Sequence, residues 1–141
     1  MDEDKKLFFL INILLPLAVG LLIYAFIGEG TIISGQIGKV FPITGIQIRK
    51  DSFWITEVIR NYLPDILWAY ALTFAVAGVA FNTKKELVAA CLICFIFEIV
   101  LELVQKSDMV PGTFDYIDIA LEVAATAAAL SRIIKYLEER T

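Results

Sequence analysis

Two apolar stretches of this chain carry carboxylates at helical spacing. The first reads Glu98-x-x-x-Glu102-x-x-Gln105 and the second Asp115-x-x-Asp118-x-x-x-Glu122. A charged side chain at the centre of a bilayer costs roughly 2.5–3.5 kcal/mol on insertion scales, so such residues are kept only where something offsets the cost. Positions i, i+3, i+4 and i+7 stack on one face of a helix, so each set forms a single polar stripe. Facing rows of carboxylates in a low dielectric cannot all be ionised, because burial and like charge both disfavour the anion. Three chemistries follow. Some acids are protonated and donate hydrogen bonds, or a base such as Arg60 neutralises an outer one, or a cation or cationic ligand sits among them. A plainer reading stands beside these: protonated carboxyls and an amide can simply join helices, for about 0.6 kcal/mol each and up to roughly 1.7.

The elements that must position these residues are membrane helices. Hydrophobic residues make up 59% of the chain, well above the 45–50% or so of a soluble domain. Four segments are long enough to cross a hydrocarbon core of about 30 Å. They run over 7–27, 62–81, 87–104 and 114–134. Pro16 and Gly20 interrupt the first, and Pro64 falls in the first turn of the second, where its missing N–H costs nothing. The fourth is rich in alanine, which suits close packing inside a bundle. The segment 7–27 lacks a small-x-small cleavage site and reads as an uncleaved first span. At 141 residues the expectation is a single integral membrane domain, 1–141.

Orientation follows the basic residues. With the N-terminus inside, the inner flanks hold Lys5, Lys6, Lys84, Lys85, Arg132, Lys135 and Arg140. The outer side holds Lys39, Arg49, Lys50, Arg60 and Lys106. Most of the outer set is spread along one long loop, whereas Lys84 and Lys85 share a tight turn, so both termini are expected to be cytoplasmic. The external loop is then 28–61, long enough to imply structure or function of its own. Thr31 to Phe41 reads as a short helix or dipping segment. Asp51 or Ser52 can cap a second helix running to Tyr62, with Phe53, Trp54, Val58 and Ile59 on an interfacial face.

This topology sets the acids by depth. The third and fourth helices run antiparallel through a turn at Pro111-Gly112. Gln105 is expected to face Asp115, Glu102 to face Asp118, and Glu98 to face Glu122. Asp65 opens the second helix at the outer level. Asp115 doubles as a potential N-cap of the fourth helix. Tyr24, Tyr70 and Thr73 either reach the cluster or pack, with packing favoured.

Several function classes drop out. Zero histidine removes Ser-His-Asp hydrolysis and histidine-based zinc motifs. No basic stripe accompanies the net charge of −4, which argues against nucleic acid. Cys91 and Cys94 form a Cys-x-x-Cys inside an apolar helix. With no third cysteine and no histidine to complete a zinc site, two small residues packing in a helix is the favoured reading over a redox pair.

The pattern Glu98, Glu102, Gln105, a short turn, then Thr113-Phe114-Asp115-x-x-Asp118 resembles the VanZ-like membrane proteins, and Asn61 with Asp65 echoes the start of the preceding helix. The resemblance covers about half the chain, from Asn61 onward. Gly112 stands where the family usually has an arginine, and Glu122 stands where it has an asparagine. The resemblance implies a bacterial cell-envelope protein associated with reduced susceptibility to the lipoglycopeptide teicoplanin. Loss of the arginine leaves this cluster more acidic than the family pattern, which favours occupancy by a proton or cation.

The expected fold is all-α: a four-helix transmembrane bundle in the bacterial cytoplasmic membrane, with a long, partly helical external loop between helices 1 and 2. The expected function is binding of an envelope lipid, glycolipid or lipoglycopeptide in an outward-facing acidic cleft. Glu98, Glu102, Gln105, Asp115, Asp118, Glu122 and Asp65 are the candidate ligand-binding residues. The alternatives are a small cation- or proton-coupled transporter acting as an oligomer, a membrane enzyme using the carboxylates directly or through a divalent metal, and a helical packing module. No cofactor and no catalytic or metal-binding residue is assigned.

Overall fold

The computed structural model describes residues 3–26, 54–80, 83–107 and 115–139. They form four helices in chain order: α1 (Glu3–Phe26), α2 (Trp54–Ala80), α3 (Lys84–Lys106) and α4 (Tyr116–Glu138). Most of the loop expected over 28–61, including the element expected over Thr31 to Phe41, lies outside the described residues. So does the Pro111-Gly112 turn.

One boundary differs from expectation. The short helix ending at Tyr62 and the span starting there are a single 27-residue helix, with Pro64 in its interior rather than in its first turn. Proline removes one i→i−4 hydrogen bond, the bond to the Arg60 carbonyl. Membrane helices tolerate such a loss where neighbouring elements pack around it. Here Pro64 is buried. The apolar residues Ile55, Val58 and Ile59 continue the pattern without a break, so nothing in the local sequence stops the helix before Tyr62.

α1, α2 and α3 are each long and apolar enough to cross a membrane. Their burial pattern is that of helices facing lipid. Leu7, Leu10, Ile11, Leu14 and Leu15 of α1 are exposed, as are Leu92, Ile93, Ile96, Phe97 and Val100 of α3. α4 differs in composition, since Asp118, Glu122, Arg132 and Lys135 interrupt it. Its inward stripe is Glu122, Ala125, Thr126, Ala129 and Ile133, in which the small residues allow close helix approach.

α2 is the hub. It packs against α1, α3 and α4, and α3 packs against α4, while no Cα–Cα approach within 8 Å joins α1 to α3 or α4 among the described residues. Chain directions follow from paired residues. Gly78 of α2 lies over the Phe9 ring of α1, and Tyr70 bonds Asn12, so α1 and α2 are antiparallel. Tyr62 pairs with Asp115 and Thr73 with Thr126, both separated by 53 positions, so α2 and α4 run parallel and in register. The near end of the bundle is therefore where α1 and α3 begin and α2 and α4 finish.

The near half is an apolar core of Phe9, Phe74, Ala77, Leu87, Cys91, Ala129 and Ile133. Phe9 and Phe74 meet edge-on with centroids 5.6 Å apart, a favoured aromatic geometry. At the same end a capping box fixes the start of α3. The Glu86 N–H donates to Thr83 Oγ1 (3.3 Å) and the Thr83 N–H donates to Glu86 Oε2 (2.9 Å).

Candidate functional site

The inward stripe of α3 changes character along its length. It reads Leu87, Ala90, Cys91 and Cys94 in the near half, then Glu98 and Glu102 in the far half, all buried. The stripe of α4 mirrors this, with Ile133 and Ala129 near and Glu122, Asp118 and Asp115 far. Asp65 of α2 faces the same region. Asp118 lies within electrostatic reach of Asp65, Glu102 and Asp115. Glu122 lies within reach of Glu98, Glu102, Asp65 and Asp118. Three helices thus bring six carboxylates into the far half of the bundle.

Burial is severe for three of them: Glu98 is 2% exposed, Glu102 5% and Glu122 7%. Their hydrogen bonding is uneven. Glu98 accepts from the Thr126 hydroxyl, at 3.0 Å to Oε1 and 3.3 Å to Oε2. Glu102 lies within electrostatic reach of Asp115 at the start of α4. Yet Glu102 Oε2, Asp118 Oδ1 and Glu122 Oε2 are buried oxygens without a hydrogen-bond partner among the described residues. A buried polar group left unsatisfied costs about 1–3 kcal/mol, and more if charged.

Asp115 has two roles. Its Oδ1 accepts from the Ile117 N–H at 2.9 Å and caps α4, while Oδ2 faces the Tyr62 hydroxyl at a long 3.4 Å. The expected rung between Gln105 and Asp115 does not form as a hydrogen bond among the described residues. Gln105 is half-buried one turn beyond Glu102. Glu98 lies within electrostatic reach of Glu122 and also accepts from Thr126, one turn further along α4.

Arg60, an expected counter-charge, donates from Nε to Asn61 Oδ1 at 3.2 Å. Among the described residues its guanidinium forms no salt bridge with the cluster. Tyr24 lies within electrostatic reach of Asp65. Tyr70 turns away from the acids and donates to Asn12 Oδ1 at 2.8 Å. Thr73, expected to pack, instead meets Thr126 Oγ1 at 3.3 Å and donates to the Ala69 carbonyl at 2.9 Å. The polar ladder from Glu98 through Thr126 therefore ends on a backbone carbonyl, with the apolar core beyond it.

Thr126 is the residue that sequence reasoning missed. Its signal was present: 115, 118, 122 and 126 continue one stripe in steps of three, four and four. The cysteines are free and buried. Among the described residues, no group of three carboxylates or thiols is disposed to hold a metal ion together. No family model matches the chain, and no curated protein or solved structure matches it either.

Proposed function

We propose that this chain is a VanZ-like membrane protein of the bacterial cell envelope. Its acidic cluster forms an outward-facing cleft that takes the polar part of an envelope lipid, glycolipid or lipoglycopeptide. In this reading α4 is a fourth crossing, shielded by α2 and α3, and both termini are cytoplasmic.

The observation that carries the proposal is the set of buried, unpartnered oxygens on Glu102, Asp118 and Glu122. They are buried acceptors in one region with no donor among the described residues, so a ligand bearing ammonium or hydroxyl groups would satisfy them. Glu102, Asp118, Glu122 and Asp65 make the polar contacts. Asp115 and Glu98 are held by Ile117 and Thr126 and shape the walls. The choice of a lipoglycopeptide among such ligands rests on the motif resemblance.

Binding is favoured over passage by the near half of the bundle. A cation or proton path through the protein would have to continue beyond Thr73, where Phe74, Ala77, Leu87 and Ile133 are all buried at 0–1% exposure. The polar stripe is thus blind.

The test is teicoplanin susceptibility in a sensitive Gram-positive host, comparing the native protein with Glu102→Gln and Asp118→Asn at equal membrane expression. Protection that is lost in both variants supports the cleft. No protection by the native protein removes the carried-over function. Protection unchanged by both substitutions reduces the acids to helix-joining groups.

A further inference from the structure

The second polar constellation lies at the opposite end, between α1 and α4. These helices make no close backbone approach, and side chains alone bridge the gap. Phe8 stacks on Tyr136 with centroids 3.7 Å apart and planes within 3°. One turn further in, Arg132 Nε donates to Asn12 Oδ1 at 3.1 Å. The same oxygen takes the Tyr70 hydroxyl at 2.8 Å, and Asn12 Nδ2 donates to the Phe8 carbonyl at 2.8 Å. Asn12 is thereby locked, its oxygen taking two donors and its nitrogen tied to the backbone. The Arg132 guanidinium also sits 5.9 Å from the Phe8 ring centroid, within cation–π range.

This arrangement fixes one edge of a planar cation and leaves the other available. With Nε tied inward to a neutral amide, the two terminal nitrogens form the free edge, and they carry the donors that match a phosphate bidentately. Arg132 is exposed and forms no ion pair among the described residues. The neighbouring lysines are already committed, Lys6 to Glu3 and Lys135 to Glu139. By its pairing with Asn12, Arg132 lies about 9 Å inside the level of Lys6 at 1.5 Å per residue. That depth is within reach of the headgroup layer for a snorkelling arginine.

We propose that Arg132, held by Asn12 and Phe8 in the gap between α1 and α4, binds the phosphate of an anionic membrane lipid whose acyl chains lie along the exposed leucines of α1. The uncompensated positive charge selects a headgroup of net charge −1 over a zwitterion, whose own ammonium competes for the phosphate. The site is separate from the acidic cluster, and neither depends on the other.

The experiment is native mass spectrometry of the full chain released from detergent containing equal amounts of phosphatidylglycerol and phosphatidylcholine. One phosphatidylglycerol is expected to be retained preferentially. Arg132→Gln is expected to lower its retention about tenfold, the effect of losing one charge-assisted bidentate contact. Lys135→Gln leaves it unchanged. Asn12→Asp provides the second variant, since it supplies an internal counter-ion to Arg132 and should abolish the preference while the arginine remains. If Arg132→Gln does not fold, Asn12→Asp decides alone. Equal retention of both lipids by the native protein overturns the proposal, as does undiminished retention by Asn12→Asp. Displacement of the lipid by millimolar inorganic phosphate would make a soluble anion the occupant and overturns it too.

Discussion

Thr126 of α4 donates its hydroxyl to Glu98 of α3 across 3.0 Å, joining two helices at a point where both side chains are at least nine-tenths buried. It is the only donor a described side chain offers to the three most buried acids. Replacing it with valine keeps the shape and leaves both Glu98 oxygens without that donor. Thr126→Val is expected to destabilise the protein by about 1–2 kcal/mol, read as an earlier midpoint in denaturing-detergent titration. Thr126→Ser restores the hydroxyl and should recover most of the loss. Equal destabilisation by both would mean that packing, not the hydrogen bond, is what the residue supplies.

Glu122 has four acidic neighbours and an oxygen with no partner among the described residues. An amide there removes a like charge and adds a donor. Glu122→Gln is therefore expected to raise stability by about 1 kcal/mol, while any activity that depends on the cluster falls, as happens when a strained site is relaxed. A detergent titration run alongside the susceptibility assay measures both. A destabilised Glu122→Gln would show that the acid is a needed structural partner.

The two described glycines should respond in opposite ways. A Cβ on Gly78 would meet Phe9 Cδ1 at 3.0 Å, whereas one on Gly20 has nothing within 4 Å. Phe9 cannot easily yield, because Phe8 and Phe74 hold its ring edge-on. Gly78→Leu is expected to cost about 1–3 kcal/mol through overpacking. Gly20→Ala should stabilise by about 0.5–1 kcal/mol through helix propensity. Thermal midpoints in a single detergent check both signs.

Thr83 and Glu86 satisfy two backbone N–H groups at the start of α3. Thr83→Ala is expected to cost about 1 kcal/mol. The loss should be local, seen as faster amide hydrogen exchange in the first turn of α3 with little change near Glu98.

Cys91 and Cys94 are 7% and 1% exposed, on the face of α3 turned toward the core. Neither thiol should react with maleimide in the folded protein, and both should react after denaturation. Rapid labelling of either one in the folded state would revive a redox role for the pair.

Much of the fold was legible because membrane helices are specified locally. Apolar runs marked all four helices, three of them long and apolar enough to cross a membrane, and helical periodicity grouped Glu98 with Glu102 and Asp118 with Glu122. Capping chemistry was equally local, and the cap at Asp115 is the one its position suggested. The start of α2 was misread because Pro64 resembles a first-turn proline. A proline is equally compatible with a helix interior once neighbouring helices bury it, and only packing distinguishes the two.

Helical period alone places the acids on one face of each helix, since side-chain direction follows from it. It could not determine what those faces meet. The meeting of Thr126 with Glu98 depends on how α3 and α4 pack, with the small residues of α4 setting how closely they approach. The Asn12–Arg132 bond was further from reach still. It joins residues 120 positions apart on two helices whose backbones never come close. No local rule relates such residues, and only the placement of both helices around α2 brings them together.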